Sequence, residues 1–213
     1  MNFKNIKNLF LLILSALTLV ACSETSDDDT SAEFADWQNK NEQAFEDTLA
    51  FARTQGEANG WYVYNKWSID NVSSNGSQTP VVYENSDKIV VHVLETGTGE
   101  NVTPLYTDSV CVSYCGYLLP SKSYPNGYNF DGNFKGIYDV KTALTSKFLV
   151  SGLVDGFTTA LMHMGNIGDH WMVYIPYDLA YGSSSSSSSI PNYSMLRFEI
   201  VLRGYYRNHK WHY

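Results

Sequence analysis

Cysteine is scarce in this chain, with three in 213 residues, and this scarcity excludes a disulfide framework. Cys111 and Cys115 lie in a segment with the composition of a β-strand, where about 13 Å of extended chain would separate them. A disulfide requires Cα atoms within about 7 Å, so the two should not bond to each other. They are also too few for a tetrahedral thiolate zinc site. We therefore interpret both as small apolar residues of a core.

Basic residues are outnumbered by acidic residues, 14 against 22, and the formal net charge is −8. Loss of the N-terminal segment that contains Lys4 and Lys7 would leave 12 basic residues against 22 acidic ones, a net charge of −10. Nucleic acid binding depends on Lys and Arg side chains that neutralise phosphates, and electrostatic docking on anionic lipid depends on the same charges. The charge balance therefore argues against both kinds of partner.

The N-terminal apolar run, Leu9 to Val20, is too short to span a membrane as a helix. With the basic head of Lys4 and Lys7 before it, the run is typical of a signal peptide over residues 1–21. The small residue before Cys22 resembles the end of a bacterial lipoprotein signal, which implies cleavage before Cys22 and lipid on its sulfur. An ordinary secretory signal with an incidental cysteine is the alternative.

A lipid anchor on Cys22 would tether the mature chain to a membrane, since each buried methylene contributes roughly 0.8 kcal/mol. Residues 22–30 are polar and acidic and are predicted to form a solvated tether. This tract also resembles the acidic segment that directs some Gram-negative lipoproteins to the cell surface. We predict a cell-envelope lipoprotein of the outer membrane, on its periplasmic face or at the cell surface.

The sequence has no recognisable motif for metal binding or covalent catalysis. His163 and His170 are two of only five histidines, and no His-Glu-x-x-His or comparable signature is present. No Ser-His-Asp or paired-carboxylate constellation stands out either. We predict no metal site and no cofactor.

The chain after the tether suits one domain, residues 87–213, behind an N-terminal extension, residues 31–86. A capping-box pattern at Thr30 predicts the start of an amphipathic helix, and Gly56 is a natural stop for it. The apolar stripe of this helix is expected to pack on its own domain or on a partner, and consists of Phe34, Trp37, Phe45, Leu49 and Ala52.

Short strand segments alternate with turns and surround one short amphipathic helix, Asp155 to Met164. Antiparallel strands that wrap one helix make an α+β fold, so we predict a curved antiparallel sheet around this helix. Polar loops are predicted at Asn71–Thr79 and Ser183–Ser189. The predicted strands are Trp61–Ile69, Ile89–Leu94, Ser109–Leu119, Met172–Ile175 and Leu196–Leu202.

The most informative segment runs from Ile175 to Gly182, where a strand end passes through a proline corner into a turn that presents Tyr181. Four further motifs occur around it in order: Val112-Ser113-Tyr114-Cys115-Gly116, Phe130-Asp131, Ile190-Pro191 and Leu196-Arg197-Phe198-Glu199-Ile200. In this order they resemble the FKBP family of peptidyl-prolyl isomerases over roughly residues 88–205. The resemblance implies an FKBP-like fold and one small aromatic pocket.

The resemblance also implies a role for eight residues of this pocket. Tyr114 and Phe130 match pocket walls, and Asp131 matches a carboxylate near the bound carbonyl. The floor is assigned to Phe157, and the backbone N–H of Val154 would hold the substrate.

Three residues complete the set implied by the resemblance. Tyr181 matches the tyrosine whose hydroxyl donates to the substrate carbonyl, and Ile190 and Phe198 would close the far wall. Purely structural roles are the alternatives: Phe157 and Phe198 could serve only as core residues, and Asp131 could only shape a turn.

The sequence departs from the family pattern around the rim of the pocket. Phe157 stands where the best-known members carry Trp, and Ser146 stands where a further aromatic wall is common. The loop Ser183–Ser189 is serine-rich where active members often place apolar residues, and Pro120–Asn129 is an insertion. These departures affect the substrate more than the fold.

Prolyl isomerisation needs no nucleophile or metal, because its barrier comes from amide resonance. The predicted function is peptidyl-prolyl cis–trans isomerisation of extracytoplasmic proteins that contain proline, with a chaperone role as a further expectation. A non-catalytic binding module of the same fold is one alternative. A glycan-binding surface lipoprotein that stacks sugars on Trp61, Trp67 and Tyr124 is the other.

Overall fold

The computed structural model describes residues 33–70, 82–185 and 189–213. The chain divides into two compact units, Met1–Ala35 and Asp36–Tyr213, and the second contains all the elements below. The predicted signal peptide, Cys22, the acidic tether and the loop Asn71–Thr79 lie outside the described residues. Where the chain is described, no helix is long and apolar enough to cross a membrane.

The second unit is an α+β structure, as predicted. Its α-helices are α1 (Trp37–Gln55), α2 (Trp67–Asp70) and α3 (Asp155–Leu161). Its strands are β1 (Trp61–Asn65), β2 (Lys88–Glu95), β3 (Ser109–Tyr117), β4 (Asn129–Gly132), β5 (Ser146–Leu149), β6 (His170–Ile175), β7 (Leu196–Arg207) and β8 (Lys210–His212). Short 3₁₀ turns occupy Glu57–Asn59, Asn85–Asp87, Val150–Gly152 and Tyr177–Leu179.

The described strands form one antiparallel sheet in the order β1-β2-β6-β7-β3-β4. Strand β5 also pairs with β3, and β8 pairs with the end of β7. The long strand β7 therefore lies in the middle of the sheet, beside β3. This position brings side chains from β3, β4 and β7 to one region of the same face.

The half of the sheet made by β1, β2 and β6 is covered on both faces. Val90 of β2 belongs to the cluster that packs against α1. Its neighbour Val91 points to the other face because strand side chains alternate, and it pairs with Val173. On that face, Gly156 of α3 lies against Ile175. Burial on both sides explains why β2 has a continuous apolar run.

Helix α1 packs on its own domain, which confirms that expectation for Trp37, Phe45, Leu49 and Ala52, whereas Phe34 of the predicted stripe lies before the helix. Phe45, Leu49 and Ala52 form a buried cluster with Val90 and Met195. Two hydrogen bonds also hold the N-terminal part of α1 against residues that are distant in the sequence. The Trp37 indole Nε1–H donates to Ser194 Oγ at 2.9 Å, and the Met195 N–H donates to Asn41 Oδ1 at 2.8 Å.

Several element boundaries differ from those predicted. The strand predicted at Trp61–Ile69 ends at Asn65, because its partner β2 begins at Lys88, the residue opposite Asn65. Helix α1 begins at Trp37, after Asp36 in a left-handed conformation with φ 56°, and the capping box predicted at Thr30 lies outside the described residues. The helix predicted over Asp155–Met164 is α-helical only from Asp155 to Leu161.

Three strands and one helix are missing from the sequence-based prediction. Strands β4, β5 and β8 are three or four residues long, which is too short for alternation to stand out. Helix α2 has four residues. Each of these elements depends on contacts with distant segments, such as the hydrogen bond from the Trp67 N–H to Thr159 Oγ1 at 3.2 Å.

Candidate functional site

An aromatic cluster forms where β3, β4 and β7 face helix α3, and it consists of Tyr114, Phe130, Phe157 and Phe198. The Phe157 ring stands edge-on to Phe198 at 5.0 Å between centroids and to Tyr114 at 6.1 Å. The Phe130 ring stands edge-on to Phe198 at 5.5 Å. Edge-to-face contacts at these distances are the favoured geometry for aromatic rings. The structure therefore brings four of the eight predicted residues into one wall and floor.

A β-bulge directs the side chains of Phe130 and its neighbour Asp131 to the same face of the sheet. In β4, Asp131 pairs with Gly116 and Asn129 pairs with Tyr117, so Phe130 is the extra residue. Consecutive side chains of a regular strand point to opposite faces, but a bulge re-aims one of them. As a result Phe130 meets Phe198 while Asp131 reaches Tyr114.

Gly116 provides the space in which two of these rings meet. A Cβ atom at this position would lie 2.6 Å from Phe130 Cζ and 2.6 Å from Phe198 Cε1. Any side chain here would displace one of the rings. A glycine inside an otherwise β-branched and aromatic strand is the sequence signal for such a close approach.

Tyr114 and Asp131 form the polar edge of the cluster. The Tyr114 hydroxyl donates to Asp131 Oδ2 at 2.9 Å. Burial raises the pKa of Tyr114 well above its ordinary value, and the hydrogen bond to Asp131 raises it further. Tyr114 therefore stays a neutral donor to Asp131 across the physiological pH range.

Tyr181 lies at the open side of the site and has a free hydroxyl. The 3₁₀ turn before it is closed by a hydrogen bond of 2.9 Å from the Gly182 N–H to the Tyr177 carbonyl. The side chain is 45% exposed, and burial, followed by the charge of Asp131, raises the pKa of Tyr181. No described protein group accepts a hydrogen bond from its hydroxyl, so a ligand can be that acceptor.

Val154 and Ile190 occupy the two remaining predicted positions. Val154 precedes α3 in extended conformation, and its carbonyl accepts from the Phe157 N–H at 3.0 Å. Among the described groups, nothing accepts from its own N–H. Ile190 is buried, with 4% of its surface exposed. The roles of both residues in substrate binding stay predictions.

Phe148 is a residue of the site that sequence reasoning missed. Its ring stands edge-on to Tyr114 at 5.5 Å, and so supplies an aromatic contact that Ser146 cannot. Ser146 Oγ instead accepts from Asn133 Nδ2 at 3.1 Å, and Asn133 Oδ1 accepts from the Tyr114 N–H at 2.9 Å. Alternation along β5 was the available signal, since it places Phe148 on the same face of the strand as Ser146, where the resemblance expects an aromatic wall.

The arrangement suits binding and distortion of an apolar group better than covalent chemistry. Its floor is buried and aromatic: Phe157 is 3% exposed and Phe198 is 4% exposed. The polar groups beside it are a phenol and a carboxylate, Tyr181 and Asp131. In the part of the chain that the structure describes, no three His, Cys, Asp or Glu residues are grouped to hold a metal ion.

Neither cysteine of the second unit belongs to the aromatic cluster. Cys111 and Cys115 are buried and unbridged, as the extended-strand argument predicts. Burial raises the pKa of the Cys115 thiol to about 11, so the thiol stays protonated at physiological pH. This agrees with their interpretation as apolar core residues.

Known proteins resemble this chain over the region that holds the site. A sequence model described as FKBP-type peptidyl-prolyl cis-trans isomerase matches residues 100–203. The FKBP-type 22 kDa peptidyl-prolyl cis-trans isomerase of Escherichia coli (strain K12) is 34% identical over 126 residues, which cover 56% of this chain and 55% of that protein. The outer membrane protein MIP of Legionella longbeachae is 30% identical over 151 residues, 71% of this chain and 58% of that one.

The chain spans somewhat more than half the length of these two relatives. Among solved structures, a peptidyl-prolyl cis-trans isomerase from Pseudomonas syringae pv. tomato superposes with a TM-score of 0.49 and 24% identity, covering 78% of this chain and 96% of that one. The matched residues 100–203 contain all eight positions that the motifs assigned to the pocket. Through this domain, the chain belongs to the FKBP-type peptidyl-prolyl cis-trans isomerase family.

Proposed function

We propose that the domain catalyses cis–trans isomerisation of peptide bonds that precede proline. The observation that carries this proposal is the hydroxyl of Tyr181, which has no described protein acceptor and belongs to a half-exposed residue at the edge of a buried aromatic floor. Family membership over residues 100–203 supports it independently. Neither a nucleophile nor a metal is needed for this reaction, since only rotation about one bond is catalysed.

The aromatic floor lowers the barrier by favouring the twisted amide. Rotation is opposed by about 18–20 kcal/mol because the planar amide is resonance-stabilised. The twisted amide has a less polar carbonyl, so an apolar and water-poor site stabilises it more than either planar form. Phe157 lies under the proline ring in this proposal, with Tyr114, Phe130 and Phe198 around it.

Hydrogen-bond donors at the edge hold the chain on either side of the rotating bond. Tyr181 donates to a substrate carbonyl, and the Val154 N–H donates to a second one, since neither has a described protein acceptor. Asp131 keeps Tyr114 in place through the bond of 2.9 Å and lies beside the bound carbonyl. The far wall is completed by Ile190, which is buried at the end of the serine-rich loop.

The proposed substrates are extended segments of proteins outside the cytoplasm, with an apolar residue before proline. The predicted signal peptide supports this location, and one relative carries the name outer membrane protein. We propose that lipid on Cys22 anchors the chain in the outer membrane. Metabolic labelling with a fatty acid tests this: a Cys22→Ser variant should lose the label, and an unlabelled wild type would refute the anchor.

Exchange NMR on a short Leu-Pro peptide tests the activity directly. The protein is residues 23–213, compared with Phe157→Ala and Tyr181→Phe variants whose folding is checked by circular dichroism. Faster exchange with the wild type that is lost in Phe157→Ala and reduced in Tyr181→Phe would support an isomerase. No acceleration by the folded wild type would refute the activity and favour a non-catalytic binding module.

A further inference from the structure

A second concave site lies between α1 and the turns at Asn85–Asp87 and Tyr177–Leu179. Its volume is about 570 Å³, which is within the usual range for ligand pockets. None of its described lining residues belongs to the aromatic cluster. We name it the acidic cavity after four of its lining residues, Glu42, Glu46, Glu84 and Asp178.

Aromatic side chains give the acidic cavity an apolar wall in a fixed position. Phe45 is 4% exposed, because its other side lies in the core under α1. The Tyr177 hydroxyl donates to Glu42 Oε1 at 3.0 Å, and the Tyr177 ring stands edge-on to Tyr193 at 5.2 Å. The cavity is therefore built from side chains that other contacts already hold.

Two of the carboxylates are oriented by neutral donors, which add no positive charge to the cavity. Asn85 Nδ2 donates to both oxygens of Glu46, at 3.0 and 2.7 Å. Glu42 accepts from Tyr177 and also from Gln38 Nε2, at 2.9 Å. A carboxylate that is oriented by uncharged groups still attracts a cation, because those groups do not cancel its net charge.

The cavity carries an excess of negative charge that the described protein does not neutralise. None of the four carboxylates lies within 4.0 Å of a cationic group among the described residues, whereas Lys66 is paired with Asp87 at 3.0 Å. Lys88 Nζ donates to the carbonyls of Tyr83 and Glu84.

The pKa of Asp178 is consistent with this excess. Burial raises the pKa of Asp178 and a backbone hydrogen bond lowers it, while the charges of Glu42 and Asp87 raise it further, against a smaller lowering by Lys66. Counting Asp87 with the four carboxylates, and Lys66, Lys88 and Arg53 as the nearby cations, the region has a net charge of −2.

We propose that the acidic cavity binds a Lys or Arg side chain of the polypeptide that the isomerase site holds, an inference that rests on the proposed function. The apolar stem of such a side chain can pack on Phe45 and Tyr177 while its charged head lies among the carboxylates. No other common side chain combines a long apolar stem with a positive charge. The cavity thus selects substrates that carry a basic residue near the proline.

The chain geometry sets how far that basic residue lies from the proline. Asp178 and Tyr181 belong to one turn, and three peptide units of 3.8 Å limit their Cα atoms to a separation of about 11 Å. An extended peptide rises about 3.3–3.6 Å per residue. We therefore expect the basic residue about three to five positions from the proline.

A series of matched peptides tests this proposal with residues 23–213. Each peptide has one Leu-Pro bond and one Lys, placed two to six positions before or after the proline, and its control has Gln in place of Lys. At the best position we expect kcat/KM to be about threefold to tenfold higher for the Lys peptide, the effect of one or two partly exposed ion pairs. The advantage should shrink in about 0.5 M salt, where exposed charges are screened.

Variants locate the effect in the cavity. In a Glu46→Gln, Asp178→Asn double variant the Lys and Gln peptides should be isomerised at equal rates, with the Gln peptide unchanged from wild type. The matched control is Asp47→Asn with Glu95→Gln, which removes the same charge from exposed positions outside the cavity. The control should keep the preference for Lys.

The outcomes separate this proposal from the isomerase function. Equal rates for Lys and Gln peptides at every position, or a preference that survives in the cavity variant, would overturn the inference and leave the isomerase intact. If neither peptide is accelerated, the proposed function fails, and binding of the Lys peptide is measured by chemical-shift titration. Binding that the cavity variant abolishes would still support a site for basic side chains, and no binding would overturn it.

Discussion

At the scale of single residues, Tyr181 is the side chain whose chemistry can be removed with the least structural change. Its ring is 45% exposed and its hydroxyl has no described protein acceptor, so Tyr181→Phe removes no hydrogen bond that the fold uses. We expect kcat/KM for a Leu-Pro peptide to fall about threefold to tenfold, the effect of one lost hydrogen bond. The thermal midpoint should stay within about 2 °C of wild type.

A second tyrosine supplies the control for this change. Tyr106 is 38% exposed, and its ring stacks on Trp67 at 4.3 Å, away from the aromatic cluster. Tyr106→Phe should leave the rate unchanged in exchange NMR. Equal rates for wild type and Tyr181→Phe would remove Tyr181 from the mechanism.

Residue identities around the site were more predictable than residue contacts. The motifs assign Tyr114, Phe157 and Phe198 to one pocket, and the structure places the three rings in contact. The bond between Tyr114 and Asp131 was not predictable, because it depends on the bulge that places Phe130 and Asp131 on one face. Phe148 was missed because β5 has only four residues.

At the scale of secondary-structure elements, the close approach of β4 and β7 to β3 depends on Gly116. A methyl group there would lie 2.6 Å from two aromatic rings, so Gly116→Ala should force one ring aside. Overpacking of this kind costs about 1–3 kcal/mol. We expect a lower urea midpoint and loss of isomerisation, since the floor of the site would change shape.

Gly165→Ala is the matched control, because a Cβ atom at Gly165 would meet nothing within 4 Å. It should keep both the wild-type midpoint and the wild-type rate. A Gly116→Ala protein with full stability and full rate would show that the rings move aside without cost.

Helix α1 is the element that ties the N-terminal extension to the domain. Leu49 is fully buried in its contact with the sheet, so Leu49→Ala should lower the free energy of unfolding by about 2–5 kcal/mol. Leu105→Ala, at a site that is 50% exposed, should lower it by much less. Urea denaturation followed by tryptophan fluorescence measures both, and a small loss at Leu49 would mean that α1 adds little to stability.

The ends of elements were predicted less well than their cores. Ile89, Val90 and Val91 form a buried run that any strand pattern detects. The end of β1 is set by where β2 begins, and β8 exists because the chain turns back after Arg207 to pair with β7. Such limits come from partner strands far along the sequence, so local composition does not contain them.

At the scale of the whole molecule, two sites share one turn. The 3₁₀ turn Tyr177–Leu179 contributes Tyr177 and Asp178 to the acidic cavity, and Tyr181 follows it at the edge of the aromatic cluster. Helix α1 forms the other side of the cavity. The extension therefore adds stability through Leu49 and, in our proposal, substrate preference through Glu46.

Partly buried tyrosines make the whole fold sensitive to alkaline pH. Burial raises the pKa of Tyr64 to about 12 and that of Tyr117 to about 12, from an ordinary value of 10.0. The folded protein thus holds these protons more tightly than the unfolded chain does. The stabilisation is fully present below about pH 10 and is lost as pH rises from about 10 to about 12, because the unfolded chain ionises first.

We therefore expect the urea midpoint to be constant between about pH 8 and pH 9.5 and to fall steeply above about pH 10. Lys deprotonation contributes to any change in this range, so a variant must isolate the phenols. In Tyr64→Phe the fall should be shallower, because one raised pKa is gone. Tyr213→Phe, at a position that is 68% exposed, should follow the wild type. Identical slopes in wild type and Tyr64→Phe would show that the Tyr64 phenol does not limit alkaline stability.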